Sequence, residues 1–262
     1  MKRLSIITVN FNNGAGLRKT IQSIKNQTFT DIEFVVIDGG STDLSLEVMK
    51  ENNSIINYSV SEADGGVYQA MNKGILKATG EYCLFLNSGD CLADNKVLEN
   101  VFEIISDEDI VYGNALKIKP HYRRLLKYSS HLTFFDFYKT EPAMHHQATF
   151  IKKQLFEKLG LYREDIKIIS DWEFFFRAII LKEVTTKYID LTICTFDGTG
   201  LSNTLNENNP ERTNANCIKE SILKLNYPDS ILDDYKKLNE FLTHKTYLQK
   251  ILNKVAYFRL KR

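Results

Sequence analysis

Several short polar groups in this sequence carry side chains suited to chemistry. Asn87-Ser88-Gly89-Asp90 follows an apolar run at 82–86 and sets an amide and a carboxylate three residues apart, with a glycine between them. Hard divalent ions such as magnesium and manganese take oxygen ligands, often one or two carboxylates completed by substrate phosphates and water. Gly89 lets the backbone approach an ion or a phosphate closely. An Asx-type turn with no ion would use the same residues. Asp38-Gly39-Gly40 ends a second apolar run. Asp38 could accept from a pyrimidine N–H, or serve only the turn before a helix. Asn10 and Asp64 could hold a base or a ribose.

Asp171 stands in Ser170-Asp171-Trp172-Glu173. Ser170 and Glu173 have the S-x-x-E spacing of a helix-capping box, and Trp172, Phe175, Phe176, Ile179 and Ile180 give the helix an apolar face. Asp171 is left over. At a helix start it favours the dipole, and its rigid placement there also suits a general base. Asp171 and Glu173 are two apart and point to different sides, so they are not a paired-carboxylate site. His145-His146, beside Gln147, offer a metal ligand or a phosphate contact, or plain packing with one ring hydrogen-bonded in a loop. The segment 196–203, FDGTGLSN, reads as a flexible loop that closes over a ligand or as a simple turn.

These groups need elements to hold them. LSIITV (4–9), IEFVVIDGG (32–40), the stretch around 56–61 and 82–86 read as strands. Between them, Leu17, Ile21 and Ile24 mark one helix and Val48 another. Val67, Ala70, Met71, Gly74, Ile75 and Ala78 form a helical stripe, with Gly74 bringing that helix close to a sheet. A helix with Val97, Leu98, Val101, Phe102 and Ile105 on its face follows, with Asp94 as its cap. Strand–helix alternation predicts an α/β fold with a mostly parallel sheet, and ligands of such sheets bind beyond the carboxyl ends of the strands. Asn10, Asp38, Asp64 and Asn87–Asp90 all fall at that edge.

Beyond residue 110 the chain reads as a long strand (110–119), an aromatic-rich stretch, a helix closed by Gly160, a strong helix from Ser170, a polar loop after Gly200 and helix from 211 onward. The stretch 241–262 has six Lys/Arg and no Asp/Glu. Its Leu248, Ile251, Leu252, Val255 and Phe258 share one face, as in a basic amphipathic helix on an anionic membrane surface, or one docked on the protein.

With 262 residues, 43% hydrophobic and 26% charged, the chain suits one large globular domain with an appendage. A formal net charge of +1 gives no pull toward nucleic acid. Cys83, Cys91, Cys194 and Cys217 are scattered, which fits a reducing compartment rather than a disulfide or zinc framework. Met1 runs straight into an amphiphilic strand and does not read as a signal sequence, and no apolar run reaches the roughly 18 residues of a membrane span. Neither a G-x-G-x-x-G turn nor a phosphate-binding G-x-x-x-x-G-K-[ST] loop is present.

The ordered set LSIITVNFNN, QTFTDIEFVVIDGGSTD, SEADGGVYQAMNKGILKATGEYCLFLNSGD, VYGN, HQATFIKKQLFEKLGLY and SDWEFFFR resembles family 2 glycosyltransferases of the GT-A fold, in the bacterial subgroup that builds surface polysaccharides. The resemblance runs over roughly residues 3–205. It implies a nucleotide-sugar-binding half at 1–110, an acceptor-binding half of the same domain at 111–205, and a helical extension at 206–262. It implies an inverting transfer from a nucleotide sugar, a UDP-sugar first, to a hydroxyl of a glycan or polyprenyl-linked oligosaccharide in polysaccharide biosynthesis. Thr8, Asn10, Asp38, Asp64, Lys73, Asn87 and Ser88 would surround the donor, and Asp90 would hold Mn²⁺ or Mg²⁺. Asn87 and Gly89 stand where the family often has aspartates, so the ion should bind weakly until the nucleotide arrives. Asp171 would be the catalytic base. The protein would then be cytoplasmic, with peripheral membrane contact through the C-terminal helix. A sugar nucleotidyltransferase lacks its glycine-rich basic loop here, and a phosphatase lacks its second aspartate, position 40 being Gly. A non-catalytic sugar-nucleotide-binding subunit is disfavoured by the presence of both Asp90 and Asp171.

Overall fold

The computed structural model of the chain describes residues 2–138, 142–197 and 210–242. Four strands open it: β1 (Leu4–Asn10), β2 (Ile32–Asp38), β3 (Tyr58–Ser61) and β4 (Tyr82–Phe85). They pair in parallel in the order β3-β2-β1-β4, with Asn10 opposite Asp38 and Asp38 opposite Ser61. Helices α1 (Gly14–Lys25), α2 (Ser45–Glu51) and α3 (Val67–Lys77) make the crossovers. Both faces are covered. Leu4, Ile6, Phe34, Val36, Tyr82 and Leu84 pack toward Leu17, Ile21 and Ile24 of α1 and Val48 of α2. Ile7, Val9, Val35, Ile37, Cys83 and Phe85 pack toward α3. Two-sided burial is why these strands read as continuous apolar runs. A Cβ on Gly74 would lie 2.4 Å from Ile7 Cγ2, so the close approach of α3 to the sheet requires glycine.

The sheet is mixed beyond β4. Short β5 (Cys91–Leu92) and α4 (Val97–Ile104) lead to the long β6 (Ile110–Lys119), which forms a hairpin with β7 (Tyr122–Leu126). After α5 (Phe134–Tyr138) and a 3₁₀ turn (His146–Ala148), β8 (Thr149–Lys152) runs antiparallel between β4 and β6. Helices α6 (Lys153–Leu159) and α7 (Ser170–Phe175) follow, α7 running into a π-helical turn, Phe176–Leu181. β9 (Thr186–Asp197) pairs parallel with β6 and antiparallel with β5. The order among the described residues is β3-β2-β1-β4-β8-β6-β9-β5, with β7 on β6.

Helix α8 (Pro210–Asn226) starts on proline, which suits a first helical position because its missing N–H would have no partner there. Ala215 and Leu223 of α8 and Leu232 of the helix at 229–242 are buried. The rings of Tyr227 and Tyr235 lie tilted against Phe134, with centroids 4.1 and 4.8 Å away. Residues 210–242 therefore dock on the body through this aromatic seam. The apolar face predicted for 248–258, and residues 198–209 of the segments predicted as loop at 196–203 and beyond Gly200, lie outside the described residues.

The expected Ser170–Glu173 capping box does not form. Ile169 is the N-cap, and the buried Ser170 hydroxyl has no partner. Glu173 instead pairs with Arg177 at 2.9 and 3.1 Å, a charge-assisted contact that outcompetes a weaker bond to the helix end. Asp94 does not cap α4 through its helix N–H groups either; Lys96 is the N-cap, and Asp94 accepts from its N–H at 2.7 Å.

Candidate active site

The 87–90 box is a turn clipped onto α1. The β1–β4 ladder continues past β4, with Leu86 N–H donating to Ile7 O and Ser88 N–H to Val9 O, each at 3.1 Å. The chain then reverses. Asp90 N–H donates to Asn87 O at 2.8 Å and Asn87 N–H to Asp90 Oδ2 at 3.1 Å. Gly89 has φ +105°, a conformation that disfavours any side chain. That accounts for glycine where a second carboxylate was expected. From α1, Asn13 Nδ2 donates to Ser88 O at 2.9 Å, and Thr20 Oγ1 donates to Asp90 O at 2.7 Å while accepting from Gly89 N–H at 2.9 Å. The turn reading and the ligand reading of this box are thus compatible, because the turn leaves the Asp90 and Asn87 side chains at the sheet edge.

Asp171 lies in the first turn of α7, its side chain 21% exposed and so within reach of a ligand. Oδ1 is 2.8 Å from the Tyr68 hydroxyl on α3, and Oδ2 is 2.9 Å from His146 Nδ1. Burial opposes its ionisation, but His146, Tyr68 and the backbone N–H of Trp172 outweigh it and hold the carboxyl below the usual range. Asp171 is therefore ionised at neutral pH. Tyr68 Oη also lies 2.7 Å from Ile168 O, so its single proton faces two acceptors.

His146 is delivered by strand register. β4 and β8 pair with Leu84 opposite Phe150, and extending that register puts residue 87 across from residue 147. His146 Nε2 lies 3.4 Å from Asn87 Nδ2, and Gln147 hydrogen-bonds Asp90. Asp90, 8% exposed, has its carboxyl pushed up to about 6 by burial, with His146 and the Asn87 N–H pulling the other way. The result is a chain of contacts: Tyr68, Asp171, His146, Asn87, Asp90. The neighbouring His145 is different. It is half-buried, bonded to the Tyr128 hydroxyl at 2.6 Å, and its ring is pushed down to about 4 by desolvation and by His146. It is the packed member of the pair.

The other expected donor residues form a second group. Asp38 is fully buried and accepts from Asn10 Nδ2 (2.6 Å), Ser41 Oγ (2.6 Å), Ser41 N–H (2.9 Å) and Ser61 Oγ (2.6 Å). Asn10 also reaches Ser45 Oγ at 2.8 Å. Four donors occupy the Asp38 carboxylate, so it organises the loop after β2. Thr8 is buried inside β1 with its hydroxyl unpaired, and Lys73 pairs with Glu62 at 2.7 Å. Asp64 is half-buried beside Gly39, where an added Cβ would meet Asp64 Oδ2 at 3.0 Å and Phe11 Cδ2 at 3.3 Å. Phe11, 66% exposed, is an aromatic face at this edge that the apolar pattern of β1 did not signal.

Asn87, Ser88, Asp90, His146 and Asp171 line one cleft of about 1730 Å³ among the described residues. The same cleft is lined by Lys117 and Arg124 of the β6–β7 hairpin, Trp172, and Lys219 of α8. Lys219 Nζ lies 5.1 Å from the Trp172 ring centroid, and burial pushes it down to about 8. Lys219 lies beyond the quoted motifs, and nothing in the sequence marked it.

No three His, Cys, Asp or Glu side chains among the described residues gather as a metal cluster. The box offers the Asp90 carboxylate and an Asn87 Oδ1 that is buried and unpaired. Both are hard oxygen donors, and they fit a divalent ion held by few protein ligands and completed by phosphate oxygens and water.

Residues 5–185 match the family described as Glycosyl transferase family 2. A PGL/p-HBAD biosynthesis glycosyltransferase of Mycobacterium tuberculosis (strain ATCC 25177 / H37Ra) is 31% identical over 211 residues, 77% of this chain and 79% of its own. S. aureus TarS 1-349 in complex with UDP-GlcNAc superposes with a TM-score of 0.69 at 19% identity, over 92% of this chain and 71% of that one. Of a longer TarS chain this protein spans 43%. The mannosyltransferase PcManGT from Pyrobaculum calidifontis, in complex with GDP-Man and Mn²⁺, superposes with a TM-score of 0.56 at 19% identity, over 74% and 56% of the two chains. These likenesses identify the fold as GT-A.

Proposed function

The chain belongs to glycosyltransferase family 2 and is a glycosyltransferase, and from that premise we propose that it transfers a sugar, with inversion, from a UDP-sugar to a hydroxyl of a glycan or polyprenyl-linked oligosaccharide in surface polysaccharide synthesis. One observation carries the reading: an ionised, half-shielded carboxylate, Asp171, faces the same cleft as the Asn87–Asp90 box and is wired to it through His146. The UDP-GlcNAc bound by TarS and the Mn²⁺ bound by PcManGT support the donor class and the use of an ion.

In this reading Asp171 takes the proton of the acceptor hydroxyl as its oxygen attacks the anomeric carbon. The bond from that carbon to the diphosphate breaks on the opposite face, and configuration inverts. Tyr68 and His146 hold the carboxylate in place. Asp90 and Asn87 would hold a divalent cation, whose Lewis-acid charge, when bound, offsets the negative charge on the departing diphosphate. Phe11 offers a face for the base, and Asp64 an acceptor for base or ribose. Asp38 and Asn10 act behind them, fixing the loop that carries Gly39.

Calorimetric titration with UDP, GDP and CDP, with and without Mn²⁺, tests this. Metal-dependent binding of UDP is expected, weakened in Asp90→Asn. Asp171→Asn should still bind UDP while turnover falls about 10²–10⁴-fold, the range of a general base. No binding of any nucleotide would refute the donor assignment, and full turnover in Asp171→Asn would refute the base.

A further inference from the structure

We propose that His146 is a nitrogen ligand of the divalent ion in the donor site, completing a set with the Asp90 carboxylate and the Asn87 amide oxygen. This rests on the donor-site reading above and adds a ligand to it. Geometry points to the tautomer. His146 Nδ1 lies 2.9 Å from the carboxylate of Asp171, so Nδ1 carries the ring proton and donates it. In the neutral ring Nε2 then presents a bare lone pair, and it faces Asn87 of the box.

What faces that lone pair does not satisfy it well. The Asn87 Nδ2 group is 3.4 Å away, at the long end of hydrogen bonding, while Asn87 Oδ1 is buried without a partner. A cation resolves both. With the amide turned over, Oδ1 and Nε2 become two lone-pair donors at about that separation. Neighbouring ligands of an octahedral ion with bonds of ~2.1 Å sit roughly 3 Å apart. Asp90 adds a buried carboxylate that accepts from the Asn87 N–H at 3.1 Å and bonds Gln147.

The imidazole also has the support that ligating histidines usually have. Its second ring N–H goes to a carboxylate, which fixes the tautomer and the ring plane. His145 lacks this arrangement, since its Nδ1 is taken by Tyr128. A mixed nitrogen and oxygen set moves preference from Mg²⁺ toward Mn²⁺ and Co²⁺. Through its two nitrogens, His146 would also tie the position of Asp171 to the position of the ion.

The test is electron spin-echo spectroscopy of Mn²⁺ bound to the full chain with UDP, alongside Mn²⁺ and Mg²⁺ titrations. Wild-type protein should show nitrogen modulation from a directly bound imidazole. His146→Ala should lose it and bind Mn²⁺ about 10–100-fold more weakly, with Mg²⁺ affinity changed far less. His145→Gln should keep it. Mn²⁺ bound by wild-type protein without nitrogen modulation would overturn the proposal and leave the donor reading intact. So would unchanged modulation in His146→Ala. If UDP fails to bind with or without ions, the donor reading falls and this proposal with it.

Discussion

At the scale of single residues, the proposed chemistry turns on how Asp171 stays ionised in a place that disfavours charge. Burial raises the cost of the carboxylate, and donors from His146 and Tyr68 more than offset it. Removing one donor has a definite sign. In Tyr68→Phe the ring and its packing remain, while the charged form of Asp171 loses the 2.8 Å hydroxyl. Its pKa must rise, and the acid limb of the kcat/KM profile should move to higher pH. At a pH well above that limb the variant should recover most of its activity. An acid limb that stays in place would mean that Tyr68 only packs. The same hydroxyl can turn to Ile168 O once Asp171 has taken a proton, so Tyr68 can serve both states of the base.

At the scale of elements, the site depends on two turns at the sheet edge. Gly89→Ala puts a side chain at φ +105°, and such a conformation costs roughly 1–2 kcal/mol. The larger consequence is local, because the turn sets where Asp90 stands. A small loss of melting temperature with a large loss of Mn²⁺-dependent UDP binding is expected. A variant that melts lower yet binds UDP normally would show that the turn merely folds. Asp38 is the structural counterpart. Its four donors hold it ionised below the usual range despite burial, so its contribution is present above the unfolded value, near 4, and lost as pH falls through the lower folded one. Asp38→Asn turns one acceptor into a donor facing Ser41 or Ser61. It should cost about 1–3 kcal/mol at neutral pH, with the gap to wild type closing below about pH 4 in denaturant titrations. The sequence showed that Asn10, Asp38, Asp64 and Asn87–Asp90 share an edge, because apolar runs and helical stripes are local signals. It could not show that Asp38 faces inward, since four donors from three segments converge there only after folding. Nor could it separate His146 from His145. That distinction comes from the antiparallel register of β8 against β4, a pairing across some 60 residues that no local pattern encodes.

At the scale of the whole molecule, the halves proposed at 1–110 and 111–205 share one core. β4 is a central strand only because β8 lies beside it. Phe85 packs edge-on against Phe156 and Tyr162, with centroids 6.1 and 5.5 Å away. On the other face Phe102 meets Phe150 at 6.0 Å. A fragment of residues 1–110 would leave β4 as a bare apolar edge and uncover these rings and their neighbours. Each fully buried apolar side chain is worth about 1.5–3 kcal/mol, and a domain has only about 5–15 kcal/mol in total. The fragment should therefore lack cooperative melting and dispersed amide resonances, and the intact chain should melt in one transition. Two separated calorimetric transitions in the intact chain would contradict this. The functional reason follows from the same contacts. Asp90 comes from the first half, Asp171 and His146 from the second, and Asn87 touches His146 across the β4–β8 seam. The proposed donor box and base need the seam to be core, because a hinge there would pull Asp171 away from the box it must face.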